Sequence, residues 1–255
     1  GAYLSGGLDS SIIAALVKNF TGSSLRTFSV AFEDKEFDES IYQREMAGYL
    51  GTDHSVITCS SREIGESFRD VIWHTEQPIL RTAPGPLFLL SRLVRESGIK
   101  VVLTGEGADE IFAGYDIFKE AKIRQFWARF PDSRSRPLLL QRLYPYLSNS
   151  PSKLGAYTEK FFDPLPSTVN DPFYAHYPRW KTTSAVKLFY SEEMREAVKG
   201  NDPVSDLNKT VSDECDRWDY MSKAQYVEMK TLLAGYLLSS QGDRVAAANS
   251  IEGRF

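Results

Sequence analysis

The sequence predicts an α/β fold: a doubly wound parallel sheet with helices on both faces, followed by a mainly helical second half. Two observations carry this. Short apolar runs alternate with helix-length segments from the first residues to about Tyr115, the pattern of parallel βαβ units. Two glycine-rich turns, one at Ser5–Ser11 and one at Gly105–Glu110, directly follow strand-like runs. In open parallel sheets ligands bind outside the carboxyl ends of the strands, so both turns are expected at one cleft.

Ala2-Tyr3-Leu4 reads as the end of a buried strand, and Ile12-Ile13-Ala14-Ala15-Leu16-Val17 as the core-facing part of the next helix. Thr21-Gly22-Ser23-Ser24 punctuates a turn, and Leu25 to Phe32 reads as a second strand. Asp38 offers an N-cap to a helix from Glu39 to Leu50, which Gly51 closes in the position favoured for a left-handed cap. Ser55-Val56-Ile57-Thr58 is a third strand, and Ser60 with Glu63 forms a capping box that opens another helix. Pro86 starts a helix whose Leu87, Leu90, Leu93 and Val94 share one face, and Gly98 ends it. Lys100 to Thr104 is a further strand.

Beyond Tyr115 the organisation changes. Lys122, Arg124, Arg129, Arg134, Arg136 and Arg142 form a locally basic segment, read as solvated helix faces or a docking surface. Residues 145–182 are rich in Pro, Tyr and Phe without a clean period, an irregular connection with no assigned chemistry. Ser191 to Lys199, closed by Gly200, is a short capped helix, and Ser212 to Leu233 a longer amphipathic one.

With 255 residues and 42% apolar content the chain can bury a sizeable core. A net charge of −4 gives no reason to expect nucleic acid as a partner. No apolar run approaches membrane-spanning length, so no membrane partner is expected. The two cysteines, Cys59 and Cys215, and the lack of a secretory leader point to a reducing, cytoplasmic setting. His54, His74 and His176 show no metal-ligand spacing, which argues against zinc. Gly1 reads as starting inside a strand and Phe255 as ending without closure, as in a piece of a longer protein.

The turn Leu4-Ser5-Gly6-Gly7-Leu8-Asp9-Ser10-Ser11 joins a strand to a helix, and so presents bare backbone N–H groups at a helix N-terminus. Those donors have no partner in the helix and the dipole favours an anion there. Gly6 and Gly7 let the backbone approach phosphate oxygens closely. Ser5, Ser10 and Ser11 add hydroxyls. Asp9 beside phosphate would be repelled unless a hard cation lies between them, which argues for Mg²⁺. A P-loop is excluded: it needs a Lys before the Ser/Thr, and the nearest is Lys18. The plain alternative is a Gly-Gly turn with a Ser/Asp helix cap. In the second turn Asp109 is placed to share a metal with Asp9. Glu106, between two glycines, can orient or deprotonate an attacking amine. Both acids also suit simple capping of the helix that follows.

The Ser5–Ser11 turn resembles the SGGxDS loop of the PP-loop ATP pyrophosphatases, which cleave ATP between the α and β phosphates. With Phe28-Ser29-Val30-Ala31-Phe32, Leu103-Thr104-Gly105-Glu106-Gly107-Ala108-Asp109-Glu110 and Ala113-Gly114-Tyr115, the chain resembles the synthetase domain of glutamine-dependent asparagine synthetases of the B type. Asp243-Arg244-Val245 and Ser250 to Phe255 look like that family's later motif. The family's Pro-Phe-Leu-Asp run and downstream Lys would lie beyond Phe255, and its glutaminase domain before Gly1. Neither Cys59 nor Cys215 matches the glutaminase nucleophile.

The resemblance implies an ATP-dependent synthetase domain over 1–255, with a nucleotide-binding core in 1–120 and a helical part in 121–255 packed on it. It implies that Ser5, Gly6, Gly7, Asp9 and Ser10 hold pyrophosphate and Mg²⁺, and that Leu4, Val30, Thr104 and Gly105 line an ATP pocket. Glu106 matches the acid tied to the acyl-adenylate, and Asp109 the second metal ligand. The reaction implied is adenylation of aspartate to β-aspartyl-AMP, then attack by ammonia from a glutaminase domain, with room for a homodimer. Arg81 is the candidate for a substrate carboxylate, since guanidinium pairs with carboxylates bidentately, or else it forms a surface salt bridge. Arg244, Glu252 and Arg254 are expected either to line the same pocket or, the preferred reading, to form a buried ion network. The alternatives are an amide- or lactam-forming synthetase for another acid, and a non-catalytic nucleotide-binding module. A tRNA-modifying relative would need a basic surface and zinc-binding cysteines.

Overall fold

The computed structural model describes residues 1–22, 24–144 and 160–255, so Ser23 in the expected turn and the 145–159 part of the expected irregular connection lie outside the described residues. Five strands form one sheet in the order β3-β2-β1-β4-β5. They are β1 (Ala2–Tyr3), β2 (Arg26–Phe32), β3 (Asp53–Cys59), β4 (Val101–Leu103) and β5 (Glu252–Arg254), every pair parallel. Between them run α1 (Leu8–Thr21), α2 (Ser40–Leu50), α3 (Ser61–Thr75) and α4 (Pro84–Glu96). This is the expected α/β architecture with a parallel sheet.

The pleat explains why the strands read as continuous apolar runs: both faces are covered. Ala2, Leu4 and Leu25 pack with Ala14 of α1 and with Ala47 and Leu50 of α2. On the opposite face Phe28 and Val102 pack with Leu90 and Val94 of α4, Ala246 and Ile251. Cys59 extends that face with Val71 of α3, Phe88 and Leu89 of α4, and Val245. Each fully buried side chain of this size contributes about 1.5–3 kcal/mol.

The local signals act as the sequence predicts. Gly51 is left-handed (φ 61°) and its N–H bonds Ala47 O and Gly48 O. Ser60 and Glu63 exchange both capping-box bonds. The helix starts one residue later than expected, with Glu39 at the N-cap, so Asp38 acts from one residue before it: Oδ1 accepts from the N–H groups of Ser40 and Phe32, and Oδ2 from the Ser40 hydroxyl. It thereby ties the end of β2 to the start of α2.

Several boundaries differ. β3 gains residues at both ends because all seven pair with β2, from Arg26↔Asp53 to Phe32↔Cys59. α4 starts at Pro84, two prolines being accommodated in a first turn that needs no N–H donors. The segment from Ser212 to Leu233 is not one helix. The Ser212 hydroxyl accepts from Glu214 N–H and opens a 3₁₀ turn (Asp213–Arg217), and Asp219 then caps a new helix (Tyr220–Glu228) through Met221 and Ser222 N–H. From Met229 to Asp243 the chain is a π-helix, followed by a short α-helix (Arg244–Ala247). β5 is a strand that no residue pattern announces.

The described residues form two compact units, Gly1–Ala108 with Met229–Phe255, and Asp109–Glu228. The first contains the whole sheet. In the second, α5 (Asp116–Ala128) buries Ile117, Phe118 and Ala121 against Ala175 and Ala224. The basic segment belongs here, and the reading of it as solvated faces fails at Arg124, which is wholly buried. Its Nε donates to Asp163 O (3.2 Å), one Nη to Tyr174 O (2.7 Å), and the guanidinium lies 4.2 Å from the Tyr174 ring centroid. Lys122, Arg129, Arg134 and Arg142 are exposed. Both cysteines are buried free thiols. Among the described residues no helix is long and apolar enough to cross a membrane.

Candidate active site

β1 and β4 are neighbours, paired at Ala2↔Leu103. Each ends in one of the two glycine turns, so topology alone brings the turns together at the carboxyl edge of the sheet. The contact is close: a Cβ added at Gly105 would stand 3.0 Å from both Asp9 Cβ and Ser10 N. Only glycine lets the β4 turn sit on the first turn of α1.

The β1 turn is built from its own hydroxyls. Ser5 and Ser10 share a hydrogen bond (2.9 Å), Ser5 N–H donates to Ser10 Oγ (3.1 Å), and Gly7 N–H donates to Ser5 Oγ (3.2 Å). Gly6 is left-handed (φ 83°), and a Cβ there would lie 2.7 Å from Tyr42 Cβ and 2.9 Å from Gln43 N on α2. Conformation and space both require glycine. Gly7 is the N-cap of α1, and no side chain caps that helix. The first bond within it runs from Ser11 N–H to Gly7 O (3.2 Å), leaving the N–H groups of Leu8, Asp9 and Ser10 ahead of the helical ladder. That is the geometry of an anion site.

The neighbouring strand sets the floor. Leu4 N–H donates to Phe28 O (2.9 Å), and the buried Ser29 hydroxyl donates to Leu4 O. Val30 lies beyond the stretch of β2 that pairs with β1, and its carbonyl accepts from Gln43 Nε2 (2.8 Å). Ser29 and Gln43 are thus supports that sequence reasoning did not single out. For Ser29 the only signal was polarity inside an apolar run, and for Gln43 the sequence offers none.

On the other turn Thr104 N–H bonds Arg254 O (2.9 Å), Glu106 N–H bonds Thr104 Oγ1 (3.3 Å), and Ala108 N–H bonds Gly105 O (3.3 Å). Gly107 is left-handed (φ 94°). Glu106 and Thr104 line a small cavity with Tyr3, Leu87, Gln241, Gly242, Val245, Ala246 and Phe255. Asp109 opens the second unit. Its carboxylate lies against Gly114, where an added Cβ would fall 1.9 Å from Oδ1, and Gly114 N–H bonds its carbonyl (2.9 Å).

Leu4, Ser5, Gly6, Gly7, Asp9, Ser10, Val30, Thr104, Gly105 and Glu106 therefore all belong to the first unit, in or just beyond β1, β2 and β4. Arg81 is exposed in the same unit, its guanidinium 5.6 Å from the ring centroid of Tyr236. Among the described residues it forms no ion pair, so the surface salt bridge expected as its alternative role is absent. The buried network of Arg244, Glu252 and Arg254 does not form either. Arg244 donates to Thr75 O (2.6 Å) and Glu76 Oε2 (3.2 Å), while Glu252 and Arg254 pair with each other on the exposed edge strand. The pair sits two apart on a strand, so both side chains leave the same solvent-facing side.

Next to Asp109, Glu110 is fully buried, accepts from Tyr115 OH (2.9 Å) on Oε1, and leaves Oε2 without a partner among the described residues. Burial, with the nearby Asp109 and Glu228 charges, holds its carboxyl above the usual carboxylate range.

The profile of the asparagine synthase family matches residues 1–255. The chain is 30% identical over 256 residues to asparagine synthetase (glutamine-hydrolyzing) 1 of Bacillus subtilis, covering 99% of this chain and 37% of that protein. It is 28% identical over 279 residues to amidase chyE of Penicillium rubens, covering 99% of this chain and 40% of that protein. Over 132 residues it is 39% identical to asparagine synthetase (glutamine-hydrolyzing) 2 of Lotus japonicus, covering 48% of this chain and 22% of that protein. The chain thus spans well under half the length of the curated relatives it matches. With the family profile matching from end to end, this chain belongs to the asparagine synthase family.

Proposed function

We propose that this chain is the ATP-using synthetase domain of an enzyme that activates aspartate as β-aspartyl-AMP and passes it to ammonia, releasing asparagine, AMP and pyrophosphate. The observation that carries the reading is the seat of Gly105 on Asp9 and Ser10 beside the uncapped N-terminus of α1. A bare helix N-terminus under two glycine turns suits a departing pyrophosphate better than a simple cap, because capping would not require glycine at both 6 and 105.

In this reading the N–H groups of Leu8, Asp9 and Ser10, with the Ser5 hydroxyl, hold the β and γ phosphates. The main chain at Leu4, Val30, Thr104 and Gly105 lines the nucleoside part. The aspartate side-chain carboxylate attacks the α phosphorus, the bond from that phosphorus to the bridging oxygen breaks, and pyrophosphate leaves. A carboxylate is a poor electrophile, and the mixed anhydride gives its carbonyl a good leaving group. Ammonia then forms the C–N bond, the C–O bond to AMP breaks, and Glu106 takes the proton. Arg81 binds a substrate carboxylate, with Tyr236 holding the guanidinium in place by a cation–π contact.

Among the described residues no group of three or more His, Cys, Asp or Glu could hold a metal ion. Mg²⁺ in nucleotide sites is held by one or two carboxylates plus phosphate oxygens, so Asp9 beside the anion site fits that donor set. When bound, the ion neutralises charge on the phosphates. Ammonia would come from a glutaminase domain in the full-length protein.

The test is exchange of labelled pyrophosphate into ATP by the full-length protein. Exchange that requires aspartate and is lost in Asp9→Asn supports the reading, and no exchange with any acid overturns it. A second reading, an amide-forming synthetase for another carboxylic acid, is favoured by the amidase-named relative that covers the chain equally well. Exchange driven by a different acid would select it.

A further inference from the structure

We propose that Gln241 is a positioning residue for the amine nucleophile, its carboxamide oxygen accepting a hydrogen bond from ammonia in the cavity beside Glu106. Three observations within the first unit carry this. The cavity has room for one water-sized molecule, about 20 Å³. Gln241 is nine-tenths buried, and its Oε1 has no hydrogen-bond partner among the described residues. A buried acceptor without a donor costs stability, so its retention calls for a donor brought by a ligand.

The site's chemistry selects that ligand. Glu106, Thr104 and Gln241 supply oxygen acceptors, Leu87, Val245, Ala246 and Phe255 supply apolar wall, and Tyr3 and Gly242 complete the lining. Ammonia carries three N–H donors and one lone pair. Held by acceptors on one side, it keeps the lone pair free for a carbonyl, and a bulkier amine does not fit the space. The end of the π-helix supplies part of this wall. The π-helix stops at Asp243 and runs straight into the short α-helix, and four-residue spacing puts Gln241 and Gly242 on the same face as Val245 and Ala246. At Gly242 a Cβ would stand 3.0 Å from the Phe255 ring, so that ring closes directly over the helix backbone.

This inference rests on the proposed acyl-adenylate reaction, and the experiment separates the two. In the full-length protein, Gln241→Met removes the acceptor at nearly constant shape, and Gln241→Glu keeps an acceptor. The readouts are the KM for ammonium chloride in amide formation and the rate of pyrophosphate exchange without ammonia. Gln241→Met is expected to raise the ammonia KM up to about tenfold, the loss of one neutral hydrogen bond in a buried site. Exchange should stay within about twofold of the unaltered protein, which also shows that the variant is folded. Gln241→Glu should restore the KM to within about threefold. Unchanged ammonia KM in Gln241→Met overturns the role, as does exchange falling in parallel with amide formation. Absence of exchange in the unaltered protein overturns the acyl-adenylate reading and this role with it.

Discussion

Replacing Gly105 by Ala tests the meeting of the two turns at its tightest point. The new Cβ would sit 3.0 Å from Asp9 Cβ and Ser10 N, and 3.2 Å from Asp9 C. Ordinary van der Waals contact begins near 3.4 Å, and two of the crowded atoms are main chain, so no side chain can swing away. The turns must separate by a few tenths of an ångström, at about 1–3 kcal/mol for overpacking. Misplacing reacting groups by about 1 Å costs roughly 10²-fold in rate, so pyrophosphate exchange should fall about tenfold or more. Gly65→Ala is the control. Gly65 lies inside α3 with nothing within 4 Å of its would-be Cβ, so that change should stabilise by up to about 1 kcal/mol and leave exchange unaltered. Exchange at the unaltered rate in Gly105→Ala, with the fold intact, would refute the reasoning, because the turns would then not depend on contact.

Two further outcomes follow from buried charges in the second unit. Arg124→Ala removes a guanidinium that serves the carbonyls of Asp163 and Tyr174 and stacks on the Tyr174 ring. It should cost about 3–5 kcal/mol in chemical denaturation, whereas a solvated arginine would change stability by less than about 0.5 kcal/mol. Glu110→Gln should flatten the pH dependence of stability. The Glu110 carboxyl is held above its unfolded value, so its favourable contribution is complete below about pH 4.3 and is lost as pH rises through the folded pKa. The variant should match the unaltered protein in Tm at pH 4.5 and exceed it at pH 8. A Tm advantage for the unaltered protein that grows with pH would contradict the assignment.

The sequence shows the sheet, its Gly51 and Ser60–Glu63 stops, and the meeting of its turns because those features are local or follow from topology. A turn at the end of β1 and another at the end of β4 must be neighbours once the strands pair. What stayed hidden depends on partners far along the chain. Glu252–Arg254 carries no strand pattern, and becomes β5 only because the edge of β4 offers it hydrogen bonds. Arg124 reads as one more cation in a basic run, and only the Tyr174 ring and two carbonyls explain its burial. Ser212 and Asp219 each cap a separate short helix, which cut the single helix that hydrophobic spacing suggested. Nothing in the composition of residues 239–243 announces the π-helix that puts Gln241 in the wall of the cavity Glu106 also lines. Arg81 was legible as a cation near proline-bounded turns, but not its Tyr236 partner.

The most direct measurement is of which phosphate bond breaks. Full-length protein is incubated with ATP, aspartate and ammonia, and the nucleotide products are separated. The account predicts AMP and pyrophosphate in amounts equal to the amide formed. ADP and inorganic phosphate as the products would contradict it, because an anion site at the N-terminus of α1 would then not be holding a pyrophosphate leaving group.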